Sequence, residues 1–281
     1  LELLEQKTKD QSVTEYQSYY IVNAVHAVIT SKELIKQIAE LPNVEKITPN
    51  NKIELVEPVE DDEEPETASY SVRNSIFEPD EKNIEWGVSM VHADKVWEDF
   101  HINGEGVTVG IIDTGVNYNL PAIQKAFKGY DESTGKIDNR YYKDFIDDLP
   151  EPEASSVNDH GTHVAGTICG REGDNLNQIG VAPGAKYISA RALNDEGGEV
   201  ANLLEAAEWM LEQKPDVINN SWGGDNDDDD WFSEITEAWI EEGIVPVFAA
   251  GNQSSGDPAP GSIANPGNLL EVLSVGAVDR N

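Results

Sequence analysis

The chain has 281 residues and carries 54 Asp and Glu against 19 Lys and Arg, a formal net charge of -35. Its 38% hydrophobic content is enough for a sizeable core, either one large domain or a small one beside a large one, but no apolar run reaches the roughly eighteen residues of a membrane span. Such an excess of acid repels nucleic acid, and a single cysteine, Cys169, excludes an intrachain disulfide framework and a cysteine metal cluster.

The chain opens Leu1-Glu2-Leu3-Leu4, with no signal peptide, and stops at Val278-Asp279-Arg280-Asn281, directly after an apolar run that reads as a core strand. These ends are expected of an internal piece of a longer protein, so the missing leader carries no message about compartment. Residues 1–56 read as a small α+β unit. Leu1 to Lys9 can form a helix, and Tyr19 to Ile29, rich in Val, Ile and Tyr, reads as extended. Thr30 or Ser31 then starts a helix with Leu34, Ile35, Ile38 and Leu41 at helical spacing, stopped by Pro42-Asn43. Val44 to Ile47 and Ile53 to Val56 read as short strands.

Residues 57–82 hold ten acids against Arg73 and Lys82, with three prolines. That composition cannot bury a core and reads as an exposed, cleavable linker. From residue 83 to 281 apolar strands alternate with amphipathic helices. Gly106 to Ile112, Lys186 to Leu193, Asp216 to Asn220, Ile244 to Ala250 and Val272 to Val278 are the expected buried strands. His160 to Gly170, Leu203 to Gln213 and Trp231 to Glu242 are the expected helices. The alternation predicts an α/β fold with a mainly parallel sheet flanked by helices.

In such sheets, sites gather at the carboxyl ends of strands. Asp113 follows the apolar strand Val107 to Ile112, placed to orient a histidine or simply to cap a turn. His160 stands in Asn158-Asp159-His160-Gly161-Thr162-His163-Val164-Ala165-Gly166-Thr167, a polar loop opening into a helix of small residues. It is expected to face outward, with His163 turned into the interior. A metal pair of His160 and His163 is the competing reading, without a clear third ligand. Asn252 follows a strand and the small residues Ala249, Ala250 and Gly251. Its amide can donate to an oxyanion, or it can serve a left-handed turn. Ser221, Trp222, Gly223 and Gly224 follow another strand, and their glycines allow a peptide backbone to pair alongside. Asp, His, a peptide platform and an oxyanion donor thus lie at successive strand ends, the parts and chain order of a triad whose serine comes last.

On these residues the segment from Glu85 to Asn281 resembles the subtilases, the subtilisin-like serine proteases. The motifs are Ile112-Asp113-Thr114-Gly115, His160 to Thr167, Gly180-Val181-Ala182-Pro183-Gly184-Ala185, Asn220-Ser221-Trp222-Gly223-Gly224 and Ala249-Ala250-Gly251-Asn252. The resemblance implies that Asp113 orients the imidazole, His160 is general base and then acid, and Asn252 stabilises the oxyanion. It implies that Ser221 to Gly224 and Ala249 to Gly251 line a peptide cleft. Residues 1–56 resemble the later part of the family's inhibitory propeptide, through Tyr20-Ile21-Val22-Asn23-Ala24-Val25 and Leu41-Pro42-Asn43-Val44-Glu45-Lys46-Ile47. The family's opening propeptide strand has no counterpart here. The resemblance further implies a secreted, extracellular zymogen, acting as a monomer on peptide or protein substrates, with its own propeptide in the cleft and no cofactor needed for the chemistry.

The family's nucleophile lies in Gly-Thr-Ser-x-Ala, and no such motif occurs before Asn281. Ser262, in Gly261-Ser262-Ile263-Ala264, lacks the Thr and stands too close to Asn252. The nucleophile is therefore expected beyond this piece, which alone should be inactive. A pseudoprotease that binds peptide or propeptide without cutting, and a metal-dependent hydrolase using Asp113, His160 and His163, are the alternatives. Leu176 to Gly180 resembles a shortened form of the family's calcium loop, which implies structural calcium there, and the acidic run Asp225 to Asp230 also invites the ion. That run fails the EF-hand pattern and reads better as a solvated face.

Overall fold

A computed structural model describes residues 1–55, 83–152, 159–172, 177–224, 231–252 and 262–278. The linker reading of 57–82, the acidic run Asp225 to Asp230 and the first residue of the calcium-loop match lie outside these residues.

The N-terminal unit is built from α1 (Glu2–Thr8), β1 (Val13–Tyr19), β2 (Ala24–Ile29), α2 (Lys32–Ala39) and β3 (Lys52–Leu55). The stretch read as uniformly extended, Tyr19 to Ile29, is broken by a turn. Asn23 adopts a left-handed φ of 46°, and β1 and β2 pair antiparallel on either side, with the first strand reaching back to Val13. Ser31 caps α2, its side chain accepting from the Leu34 amide. Val44 to Ile47 is irregular rather than a strand: the Val44 amide closes a turn onto the Leu41 carbonyl, and the run after it adopts no regular structure. The unit's own core is small, with Leu4, Val13 and Leu34 packed against Tyr16, Ala27, Ile29 and Ile38.

The larger unit is a six-stranded sheet in which every adjacent pair is parallel. Its strands are β4 (Thr108–Asp113), β5 (Tyr142–Asp144), β6 (Lys186–Arg191), β8 (Val217–Asn220), β10 (Val245–Ala249) and β11 (Leu273–Val275). The order across the sheet is β11-β10-β8-β4-β6-β5. All five expected strands are present, but the last, expected to be buried over Val272 to Val278, is the three-residue edge strand β11 and is exposed along its length. The sixth, β5, is too short to show an apolar run. β4 is buried along its whole length, as a central parallel strand covered on both faces must be.

Helix α3 (His160–Cys169) covers one face with Ala165 and Cys169, against Val109, Ile111, Tyr142 and Tyr187. Helices α4 (Val200–Gln213) and α5 (Trp231–Glu241) cover the other with Leu203, Leu204, Ala207, Met210, Ile235 and Trp239. Tyr19, Val22 and Ile53 of the N-terminal unit belong to this second core. The small unit therefore shares apolar packing with the large one. The link is completed by β3, the middle strand of a three-stranded antiparallel ladder between β7 (Gly198–Glu199) and β9 (Trp222–Gly223).

Candidate active site

Asp113 is the last residue of β4 and fully buried. His160 is the first residue of α3, which crosses the end of that strand. The imidazole Nδ1 lies 2.8 Å from Asp113 Oδ1, two buried groups 47 residues apart in sequence. The same Oδ1 accepts the Thr114 amide at 2.7 Å, which fixes the carboxylate plane. Thr114 Oγ1 in turn accepts the Gly161 amide at 3.0 Å, so the helix start is tied to the strand end. Among the described residues Asp113 Oδ2 has no hydrogen-bond partner. An Asp carboxylate facing Nδ1 makes that nitrogen the protonated one and leaves Nε2 as the basic atom.

The helix phase explains which histidine is used. Gly161, Ala165 and Cys169 form the stripe turned to the sheet, and His160 leaves the helix beside it, only 7% exposed. His160 is thus buried against Asp113, not turned outward as its place at the helix start had suggested. His163 lies on the opposite stripe with Thr167, and both are exposed, so the interior role expected for it is corrected. Among the described residues no group of three or more His, Cys, Asp or Glu is gathered as a metal site.

Trp222 and Gly223 are β9, and Ser221 and Gly224 flank it. The platform begins immediately after Asn220, the last β8 residue, which pairs with Ile112 beside Asp113. Trp222 offers its backbone to β3 while its indole turns into the core. There Nε1–H donates to the Ile112 carbonyl at 3.0 Å and the ring meets Phe232 and Phe248 edgewise or tilted. Asn219 Nδ2 donates to Ser221 Oγ at 3.0 Å. Gly224 exchanges two backbone hydrogen bonds with Asn265, and Ala264 N–H donates to the Ala250 carbonyl. Those bonds draw Gly223–Gly224, Ala249–Gly251 and Ala264–Gly267 into one wall. Gly251 takes a φ of 95°, a turn that glycine makes without strain, and Asn252 follows it at the surface. Ser262 lies on an exposed loop.

Arg191 is a site neighbour that strand reading missed. It pairs in register with Asp113 on one side and Asp144 on the other. Its Nη1 reaches Asp144 Oδ2 and Asp147 Oδ2, each at 2.7 Å. Burial works against its charge, but the Asp147 and Asp144 carboxylates outweigh that and hold the guanidinium above its ordinary pKa. Its stem packs on Gly115 at 3.3 Å from where a side chain would begin. The available signal was a lone Arg inside an apolar strand, which requires a buried carboxylate. Cys169 is buried, and burial pushes its thiol up to about 12.

Residues 104–281 match the family model described as the subtilase family. Bacillopeptidase F of Bacillus subtilis (strain 168) is 39% identical over 284 residues, covering 94% of this chain and 19% of that protein. An intracellular serine protease of Paenibacillus polymyxa is 34% identical over 69% of this chain and 55% of its own length. The minor extracellular protease Vpr of Bacillus subtilis (strain 168) is 37% identical over 66% of this chain and 22% of its own. The chain spans between about a fifth and about half of these relatives.

Proposed function

Because the chain belongs to the subtilase family, we propose that its parent protein is a serine endopeptidase in which Asp113 and His160 activate a serine supplied beyond residue 281. The observation that carries this reading is the 2.8 Å contact between buried His160 Nδ1 and Asp113 Oδ1, beside a strand ladder able to hold a peptide. His160 Nε2 takes the serine proton as Oγ attacks the scissile carbonyl, and Asp113 stabilises the imidazolium that forms. His160 then returns the proton to the leaving amine. Asn252 donates its amide to the developing oxyanion, where charge appears only in the transition state. Ser221 to Gly224 and Ala249 to Gly251 form the walls of the peptide cleft.

The N-terminal unit acts as a propeptide in this reading. Its strand β3 lies where a substrate would pair, so the chain is held as a zymogen until the segment after β3 is cut. The relatives include one named extracellular and one named intracellular protease. The strong negative charge favours a cation-rich space outside the cell for this one.

The test is peptide hydrolysis by the parent chain and its H160A variant. The expected loss in kcat is about 10⁴- to 10⁶-fold, as for triad proteases in general. A parent reading frame with another residue in place of the serine, and no labelling by a serine-directed fluorophosphonate, would replace this with a pseudoprotease that binds peptide only.

A further inference from the structure

The segment lying across the large unit begins before β3. Asn50 stands three residues ahead of Ile53, the buried side chain of the strand. Its carboxamide is held at both ends. Oδ1 accepts the Ala201 amide at 3.0 Å, and Nδ2 donates to Glu199 Oε2 at 2.8 Å. Only the oxygen of an amide can accept from a backbone N–H and only its nitrogen can donate to a carboxylate, so the orientation is fixed by chemistry. The next carbonyl, of Asn51, accepts the Val200 amide at 3.0 Å. Helix α4 has no side-chain cap of its own: Glu199, at its N-cap, makes no capping hydrogen bond. Its first two amides are satisfied by a segment from some 150 residues away. Lys52 then reaches Glu196 at 3.0 Å, and the ladder of β7, β3 and β9 follows.

We propose that Glu199 and the Ala201 amide form a distal subsite that reads an asparagine side chain in an extended peptide, three residues before the residue that fills the Ile53 position. The docked segment is itself the ligand that displays the site. Alanine there leaves both partners unmatched. Aspartate keeps the acceptor for Ala201 but sets a second carboxylate against Glu199. The subsite is selective for Asn because it supplies one donor and one acceptor at the spacing of a carboxamide. As a statement about substrates this rests on the protease reading; as a statement about docking it does not.

Two measurements test it. In the whole chain, amide exchange at Ala201 and Ile53 is followed for N50A, N50D and N50D/E199Q. N50A and N50D should speed exchange at least about fivefold, the worth of a lost cap, and E199Q should restore N50D towards native rates. Native rates in N50A and N50D overturn the proposal, whatever the chain hydrolyses. In the parent enzyme, peptides differing only in Asn, Asp or Ala at this position are compared by kcat/KM. Asn should lead by about fivefold, with E199Q shifting the preference from Asn to Asp. Equal kcat/KM for the three peptides overturns the substrate assignment. A parent that cleaves none of them overturns the protease reading, and the exchange rates then decide the subsite.

Discussion

Gly161 sits where the first turn of α3 crosses the end of β4. A Cβ there would lie 2.4 Å from the Gly115 carbonyl oxygen and 3.1 Å from Asp113 Oδ1. Neither can yield: one is backbone, and the other is the carboxylate that faces His160. G161A should therefore lower stability by about 1–3 kcal/mol and cut kcat by moving the imidazole off Asp113. Calorimetry of the chain and hydrolysis by the parent separate the two effects. Arg191 is the opposite case, a side chain whose removal leaves something behind. R191M would strand the fully buried Asp144 carboxylate and cost about 3–5 kcal/mol, with R191K recovering part of it. An unchanged melting temperature in R191M would show that Asp144 needs no counter-charge. The site was legible in part at this scale. Asp113 and His160 follow from a polar residue just past an apolar strand and a glycine-rich helix start. The burial of His160 and exposure of His163 were not legible, because both depend on the angle at which α3 meets the sheet, and the spacing within the helix does not encode that angle. Arg191 was hidden because one charge in an otherwise apolar strand barely alters its pattern.

Among the elements, the apolar strands and amphipathic helices were recovered within a few residues, since burial on both faces leaves a continuous signal, although β11 carries that signal while lying exposed at the sheet edge. Short elements were recovered unevenly: the strand expected at Ile53 to Val56 is β3, one residue displaced, but others were missed. β5 has three residues and takes its place by pairing with β6, a tertiary fact. Val44 to Ile47 has strand-like composition but adopts no regular structure. β3 is the instructive element, as its four residues become a strand only by lying between β7 and β9. Ile53, 2% exposed and packed in the core of the large unit, anchors it there. I53A should cost about 2–4 kcal/mol through lost burial and the cavity left behind. It should also release β3 from the ladder, seen as faster amide exchange at Trp222 and Gly223. A fall in stability without faster exchange at β9 would mean that the strand is held by its backbone alone.

At the scale of the molecule, a charge of -35 and a core rich in buried weak acids set how stability responds to base. Tyr19, Tyr142 and Tyr187 are pushed up mainly by burial, Tyr118 is pushed up to about 12, and Cys169 rises from 9.0 to about 12. The unfolded chain gives up these protons near their ordinary values while the folded chain keeps them. The native state then binds more protons than the unfolded one, so stability falls as pH rises from about 9. Each group adds a slope of up to about 1.4 kcal/mol per pH unit until its folded value is reached. Cys169 acts first, because its ordinary value is the lowest of the five. C169A removes that contribution alone. Its absolute stability drops a little through the lost sulfur, so the slope is the quantity to compare. Urea melts at pH 8, 9, 10 and 11 should show a shallower decline in C169A than in the native chain, with the tyrosine-driven part above pH 10 retained. Parallel declines would mean that the thiol already ionises at its ordinary value, and that the helix over the sheet at Cys169 is open to water.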